Sequence, residues 1–357
     1  MNAIMTIGDT MENTTNEIHL TTQRNYTMDM LKAIFAFAVI LVHFPYPGTI
    51  GTIFSTIGVS GVIFFFLISG YYAYDEDDSK ASSNIMRRFK RNLIITLTVI
   101  IIYALFTITE SLISGEFNGF IDNFKNPWLF PRILLLGDFS FIHCDAIWFM
   151  NNLLISYLVL YLLHEFKITK YAYYVLPILI FARIGVEIYV NTYDKDWHLT
   201  SFFLTSGLPI MLLGHFIGSH KNLFLKSSIK IDIILFILSV ILTFTFVFVR
   251  VWDFEISQIF KIWCMFELFI VTLKIPGKRN YPVIGTIGNK YSMYIYLFHL
   301  LIGWLILDVS YLLSSPEWMY DYIIPTLVLI FGTLISIGLY ELVHLIKRKA
   351  RKEKCIA

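Results

Sequence analysis

Residues 28–44 read MDMLKAIFAFAVILVHF, an apolar helix interrupted by three polar side chains, Asp29, Lys32 and His43. At about 100° per residue, the eleven steps from Lys32 to His43 complete three turns plus roughly 20°, so both lie on one face, about 16 Å apart along the axis. Asp29 precedes Lys32 by three residues and joins that face. A buried charge costs roughly 3 kcal/mol or more at the centre of a bilayer, which favours a functional face. The alternative places Asp29 and Lys32 at headgroup level, with His43 reaching the opposite surface.

The composition indicates an integral membrane protein. Hydrophobic residues make up 57% of the chain and charged residues 15%, and the mean hydropathy is +0.67. Soluble domains carry about 25% charged residues, so this chain could not cover its apolar surface in water. The partner that follows from composition is the lipid bilayer, and no nucleic-acid partner is expected. The three cysteines are scattered and form neither a disulfide framework nor a zinc pattern.

Ten apolar segments approach the ~20 residues that span the hydrocarbon of a bilayer. They cover residues 28–46, 53–74, 93–113, 147–165, 172–190, 200–219, 230–250, 257–275, 284–307 and 321–346. The weakest is 200–219, which is rich in Gly, Ser and Pro. We predict an all-α bundle of about ten transmembrane helices. Residues 1–23 are expected to form a disordered cytoplasmic tail, residues 24–346 the membrane domain and residues 347–357 a basic cytoplasmic tail.

The placement of Lys and Arg predicts the orientation. With the N-terminus inside, the cytoplasmic loops and tails hold 21 of these residues and the outer loops hold 4. If one span were missing, every later loop would change sides and this asymmetry would be lost. We therefore expect both termini in the cytoplasm, and a multi-pass protein of the cell membrane. On this orientation Lys32 lies near the inner end of the first span and His43 near its outer end.

The first cytoplasmic loop carries a dense basic sequence, RRFKR at residues 87–91. Such a run often does no more than anchor the loop inside the cell. A sharper interpretation makes it a phosphate clamp at the cytoplasmic mouth, because guanidinium groups bind phosphate with two parallel hydrogen bonds.

Two further segments place polar residues in or near spans. The sequence HCDAIWFMNN at residues 143–152 contains Trp148 and Asn152. Its first three residues could ligate a metal, but neighbours in sequence rarely converge on one ion, so we expect no metal site. Trp148 could equally be an interfacial aromatic anchor. Arg183 and Glu187 stand four apart in the fifth span and can pair on one face, for structural reasons or for substrate binding.

The ninth span begins with a group of tyrosines. Tyr291, Tyr294 and Tyr296, together with His299, form a polar aromatic set suited to a sugar or a pantetheine chain. Tyrosine belts are also common at membrane surfaces, but His299 lies too deep in the span for that explanation. In the second span, residues 58–72 contain small residues that would by themselves indicate close helix packing.

Four features, in this order, resemble the membrane acyltransferase-3 family. A basic residue, ten residues and a histidine follow an aspartate (Asp29, Lys32 and His43). An aromatic run, FFFLISG, ends the second span with Ser69 and Gly70. An Arg-x-x-Arg lies in the first inner loop (Arg88 and Arg91), and Tyr-Ser-x-Tyr-x-x-x-x-His lies late in the chain (Tyr291 to His299). The similarity covers about residues 24–346. One departure is Lys32, where many members have Arg. A guanidinium presents a fork of hydrogen-bond donors, whereas the lysine ammonium is a point charge.

The resemblance implies a membrane O-acyltransferase. Its donor would be acetyl-CoA or another acyl-CoA in the cytoplasm, with no permanently bound cofactor, and its acceptor a hydroxyl on an extracytoplasmic glycan or lipid-linked glycan precursor. Arg88 and Arg91 would hold the phosphates of CoA. His43 would be a general base or a transient acyl carrier, with Asp29 or Lys32 fixing the polar track.

The remaining site residues are expected to bind substrate. They are Ser69, Trp148, Asn152, Arg183, Glu187, Tyr291, Tyr294 and His299. Two other classes stay open: a secondary transporter or polysaccharide exporter, which needs no CoA clamp, and a membrane sensing or binding module without transferase activity.

Overall fold

The computed structural model describes residues 24–249, 257–277 and 282–356, with side chains to residue 349. Within these ranges the ordered secondary structure is helical and contains no strand. The predicted all-α fold is therefore confirmed. The predicted disordered tail, residues 1–23, lies outside the described residues.

The described ranges contain fourteen α-helices, numbered in chain order. They are α1 (Tyr26–His43), α2 (Gly48–Tyr71), α3 (Asp78–Ser114), α4 (Phe117–Asp122), α5 (Leu129–Leu136), α6 (Trp148–Glu165), α7 (Thr169–Thr192), α8 (Gly207–Ser219), α9 (Lys221–Lys226), α10 (Ile229–Phe248), α11 (Ser257–Lys274), α12 (Pro282–Thr286), α13 (Ser292–Leu312) and α14 (Ile324–Ile356). Short 3₁₀ turns lie at Asn123–Lys125, Ser140–Ile142, Asp145–Ile147 and Trp197–Ser201, and π-helical turns at Ile287–Tyr291 and Met319–Ile323.

Each of the ten apolar segments falls on a helix, and eight helices of the described chain are long and apolar enough to cross a bilayer. The other two segments correspond to α8 and α11. Helix α8 has only 13 residues, and α11 carries three charged side chains, Lys261, Glu267 and Lys274, within its 18 residues. The number of crossings and the side on which each terminus lies remain predictions.

Helix α1 is the central element of the bundle. Asn25 caps it by accepting a hydrogen bond from the backbone N–H of Met28 at 2.9 Å, a cap worth about 1 kcal/mol. The helix packs against α2, the α12–α13 segment and α14. Two glycines allow this approach: a Cβ on Gly58 would lie 2.5 Å from the carbonyl oxygen of Ala38, and one on Gly288 only 1.6 Å from that of Asp29.

Helix α3 is longer than a membrane crossing. Its 37 residues extend about 55 Å, whereas the hydrocarbon is about 30 Å thick. The Asp77 carboxylate caps it through the backbone N–H groups of Ser79 and Lys80, and Gly115 ends it in the left-handed conformation. The basic sequence at residues 87–91 lies within its first four turns. Its polar start can therefore project beyond the lipid while the apolar remainder spans it.

Candidate active site

His43 is the last residue of α1, and its half-buried side chain lines two cavities. One, of about 270 Å³, is enclosed mainly by α1, α2, α6, α7 and α8. The other, of about 370 Å³, lies between the end of α1 and helices α13 and α14. The imidazole thus forms part of a wall that the two cavities share.

The 270 Å³ cavity brings together residues predicted from separate parts of the sequence. Trp148, from the start of α6, and Arg183 and Glu187, from α7, line it together with His43. Arg183 Nη2 lies 3.6 Å from Glu187 Oε1, the predicted pairing, and both residues are 8% exposed. The Nε atom of Arg183 is buried and has no hydrogen-bond partner among the described residues. The cavity therefore offers a buried N–H donor as well as an aromatic surface.

Asn152 holds two of the residues that line this cavity. Its side-chain nitrogen donates to the carbonyl oxygen of Ser201 and to the hydroxyl of Ser206, both at 2.6 Å, and it is fully buried. Ser201 and Ser206 both line the cavity. Asn152 thus fixes the loop that covers the cavity rather than lining the cavity itself.

His299 lies beside His43, with 5.2 Å between the ring centroids. Its Nδ1 is 2.6 Å from the carbonyl oxygen of Tyr296, and because a carbonyl only accepts, Nδ1 carries the hydrogen. The Nε2 atom is left as an acceptor, buried and without a hydrogen-bond partner in the described chain. Tyr296 is itself held by a hydrogen bond to the carbonyl of Ala146 at 2.7 Å and reaches the 270 Å³ cavity. The two histidines therefore form one polar pair.

Asp29 and Lys32 lie at the opposite end of α1 from His43. Lys32 Nζ is 3.0 Å from one carboxylate oxygen of Asp29, and Arg24 Nε is 2.6 Å from the other. Arg24 also donates to the carbonyl of Gly285 at 3.1 Å, which ties this end of α1 to α12. The polar face predicted along α1 thus has an ion-pair cluster at one end and the histidine pair at the other.

Arg88 lies near that cluster, since its guanidinium and the Asp29 carboxylate both interact electrostatically with the Tyr72 hydroxyl. The guanidinium groups of Arg88 and Arg91 are close enough to the buried Tyr157 hydroxyl on α6 to interact with it electrostatically. Ser69 from α2 lies close to the same hydroxyl. Arg88 is half-buried with an unpartnered Nε among the described residues, whereas Arg91 is exposed. Ser69 Oγ also donates to the carbonyl of Phe65 at 2.8 Å. Ser69 is thus grouped with the arginines and not with His43.

Tyr291 and Tyr294 face away from the histidine pair. Both rings pack against Tyr340 of α14, at 5.1 and 5.3 Å between centroids, and the Tyr291 hydroxyl donates to Glu341 at 2.6 Å. Of the predicted tyrosine set, only Tyr296 reaches the cavity beside His43. Tyr296 follows Tyr291 by five positions, a rotation of about 140° along a helix, so they occupy different faces.

A polar network covers the cavities beyond the helix ends. Arg132 Nη2 lies 2.6 Å from Asp138 and 2.5 Å from Asp196. His198 Nδ1 is 2.7 Å from Asp196 Oδ1, and His198 Nε2 lies 3.2 Å from Asp138 Oδ1. Asp145, at the start of the turn before α6, lines the 370 Å³ cavity with His43. The network therefore connects three loop segments to the walls of the candidate site.

Protonation states in this network follow from its contacts. Burial would raise the pKa of Asp138, but hydrogen bonds from Ser140 and Arg132 outweigh it and hold the pKa below its usual value. Burial would likewise raise the pKa of Asp196, but hydrogen bonds from Arg132 and His198 outweigh it and lower the pKa to about 2. Burial would lower the pKa of His198, but the carboxylates of Asp145, Asp196 and Asp138 raise it. Both Asp138 and Asp196 are ionised at neutral pH.

Sequence reasoning missed several residues that line the 270 Å³ cavity. Gln258 comes from α11, and Ser201, Ser206 and Thr200 come from the segment before α8. No spacing rule connects these residues to His43, because their proximity depends on how α7, α8 and α11 pack. Their only local signal is a polar residue at the end of an apolar segment, which is common in membrane helices.

The profile of the acyltransferase domain family Acyl_transf_3 matches residues 25–341, nearly the whole chain. The chain belongs to the acyltransferase-3 family. No curated protein and no solved structure matches it. This acyltransferase is a membrane protein, and acyl donor and acceptor are its substrate classes. Both ends of α1, with His43 at one and Asp29 and Lys32 at the other, lie within the matched range.

Proposed function

We propose that this acyltransferase moves an acyl group from cytoplasmic acyl-CoA to a hydroxyl of an extracytoplasmic glycan or lipid-linked glycan precursor. The acyl group that we propose is acetyl. Family membership supports the transfer of an acyl group. The choice of donor and acceptor rests on the resemblance of the motifs. The charge asymmetry of the loops supports a location in the cell membrane, with the donor on the basic side.

The observation that carries this proposal is the position of His43 on a wall shared by two cavities. A group that must meet both an acyl donor and an acceptor hydroxyl needs access from two directions. In the proposed reaction His43 takes the proton of the acceptor hydroxyl, and the hydroxyl oxygen attacks the thioester carbonyl carbon. The carbon–sulfur bond breaks, and CoA leaves as a thiolate that takes up the proton from His43, which restores the neutral imidazole. The alternative, in which His43 carries the acyl group itself, differs by a covalent intermediate.

The surroundings of His43 suit a sugar acceptor. Trp148 and Tyr296 contribute aromatic surface, and Arg183, Glu187 and the two serines contribute hydrogen-bonding groups. Binding sites of this kind combine an apolar lining with a few oriented polar groups. We assign acceptor binding to this cavity, with Asn152 holding its covering loop.

The donor is assigned to the other end of α1. Arg88 and Arg91 would bind the CoA phosphates, with Arg24 and Lys32 adding positive charge that the single carboxylate of Asp29 does not fully offset. Ser69 and Tyr157 lie beside the arginines and would contact the donor as it enters. The pantetheine arm would then run along the polar face of α1 towards His43.

The test uses the purified full chain in lipid nanodiscs with radiolabelled acetyl-CoA and isolated surface glycans as acceptors. We expect release of CoA and acetylated glycan in equal amounts, detected by a thiol reagent and by mass spectrometry. Movement of labelled glycan across vesicles without CoA release would support an exporter instead. Glycan binding with neither CoA release nor transport would support a sensing module.

A further inference from the structure

Three side chains from separate loop segments converge above the cavities. Asp138 follows α5, Asp145 precedes α6, and His198 lies in the 3₁₀ turn before α8. One ligand atom from each lies within 4.8 Å of the other two. Among the described residues this is the group of His, Cys, Asp and Glu side chains whose spacing fits one metal ion.

The orientation of His198 separates this group from a plain acidic cluster. Its Nδ1 lies 2.7 Å from Asp196 Oδ1, and because a carboxylate only accepts, Nδ1 carries the hydrogen. Its Nε2 faces Asp138 Oδ1 at 3.2 Å without the alignment of a hydrogen bond, and Asp145 Oδ1 at 3.9 Å, too far for one. His198 is only 7% exposed, so Nε2 is buried and aimed between two carboxylates.

These separations fit a small ion. Two ligand atoms, each about 2.1 Å from a tetrahedral zinc, lie about 3.4 Å apart, close to the 3.2 and 3.9 Å seen here. Asp145 Oδ1 is also buried without a hydrogen-bond partner in the described chain. The carboxylate on the far nitrogen of His198 is the outer partner that metal-binding histidines usually have, since it fixes the tautomer and the ring orientation.

The net charge of these side chains also favours a bound cation. Asp138, Asp145 and Asp196 contribute three negative charges, and Arg132 contributes one positive charge. A metal ligand must be deprotonated at its coordinating atom, so binding requires His198 with a free Nε2; with that uncharged imidazole, the three carboxylates and Arg132 carry a net charge of about −2. A divalent cation would balance the group.

We propose that Asp138, Asp145 and His198 bind a divalent transition metal, with Zn²⁺ as the preferred ion. One imidazole nitrogen and two carboxylate oxygens suit zinc better than calcium or magnesium, which prefer oxygen ligands alone. The ion would join the three loops that cover the candidate site. Asp145 lines one cavity, and Trp197, Thr200 and Ser201, beside His198, line the other. This proposal does not depend on the identity of the acyl donor or acceptor.

The test measures binding of Zn²⁺ to the full chain, purified in nanodiscs through a tag free of histidine and stripped with a chelator. Competition with a chromogenic zinc indicator at pH 7 should give one ion per chain, with a dissociation constant below about 1 µM. Zinc at saturating concentration should raise the melting temperature, because the ion links three segments of the folded chain.

Two variants and two controls make the result specific. His198→Ala and Asp145→Asn should each weaken zinc binding by at least the 10- to 100-fold that loss of an outer-shell partner costs. Asp145→Asn is the more informative, because its buried oxygen makes no hydrogen bond that folding would lose. The controls are His143→Asn and Asp194→Asn, which remove an outer-loop histidine and acid at positive-φ positions that asparagine tolerates.

The outcome decides the proposal in either direction. Tight 1:1 binding that is lost in both variants and kept in both controls establishes the site. If the stripped wild-type chain binds zinc no more tightly than the Asp145→Asn variant, the group is a hydrogen-bonded ion-pair network and holds no metal.

Discussion

At the scale of single residues, glycines determine how closely the central helices can approach. A Cβ on Gly70 of α2 would lie 1.8 Å from the backbone oxygen of Met211 in α8, a contact that no side-chain rotation relieves. Gly214 makes the reciprocal approach, 2.1 Å from the oxygen of Leu67. The Ser-Gly that ends the second span in the family resemblance therefore has a packing explanation for its glycine, whatever Ser69 does.

Replacing Gly70 by Ala should destabilise the protein by about 1–3 kcal/mol, the usual range for a group forced into a packed interface. Thermal unfolding in detergent, followed by size-exclusion chromatography, measures the effect. Gly185→Ala is the matched control, since Gly185 lies in a helix and a Cβ there meets nothing within 4 Å. Equal melting temperatures for the two variants would show that α2 and α8 approach less closely than the 1.8 Å contact of a Gly70 Cβ implies.

At the scale of helices, α3 carries two basic pairs on different faces of the same turns. Arg88 and Arg91 approach Tyr157, whereas Arg87 and Lys90 line a separate groove of about 510 Å³ beside Glu165. Bulk positive charge is the same for both pairs. The helix thus provides its own control for the proposed donor site.

The double variant Arg88→Gln and Arg91→Gln should weaken acyl-CoA binding, because each charged hydrogen bond lost is worth roughly 1.5–3 kcal/mol. The double variant Arg87→Gln and Lys90→Gln removes the same charge from the other face and should weaken it far less. Isothermal titration with a non-hydrolysable acyl-CoA analogue compares them. If both pairs weaken binding equally, only the net charge matters. If neither does, the basic sequence serves as a topology anchor alone.

At the scale of the whole molecule, the predicted orientation places the ion-pair end of α1 inside and His43 outside. Cysteine labelling in intact cells tests it, in a background where Cys355 is Ala and the buried Cys144 and Cys264 remain. A cysteine at the exposed Ser79 should be protected from a membrane-impermeant maleimide, and one at the exposed Lys195 should react. Labelling at position 79 would reverse the orientation and remove the cytoplasmic donor site.

Much of this architecture could be predicted from the sequence, because apolar length and helical spacing are local properties. The ten apolar segments, the shared face of Asp29 and Lys32 and the Arg183–Glu187 pair all follow from such spacing. The convergence of Trp148, Arg183 and His43 on one cavity depends on tertiary packing. In the sequence, only the order of the motifs suggests it. Spacing alone did not separate the tyrosines: Tyr291 and Tyr294 pack against α14, whereas Tyr296 reaches the cavity beside His43.

The group of Asp138, Asp145 and His198 could not be predicted. Its members are 7 and 53 residues apart in sequence and lie in irregular loops, where no period relates one side chain to another. Sequence reasoning instead considered His143, Cys144 and Asp145, of which only Asp145 joins the group. Loop conformation, such as the left-handed backbone of His143, decides which side chains meet.

If His43 is the general base of acyl transfer, the variant His43→Gln should lose that function. Glutamine keeps a hydrogen-bonding side chain of similar size but cannot take up the proton. The matched control is His220→Gln, at an exposed histidine that ends α8 on the far side of the bundle. Acyl transfer and acyl-CoA binding are measured for both variants in nanodiscs. We predict that His43→Gln lowers kcat by about 10²–10⁴, with donor binding unchanged and His220→Gln fully active. Transfer by His43→Gln within about tenfold of wild type would show that His43 is not the base.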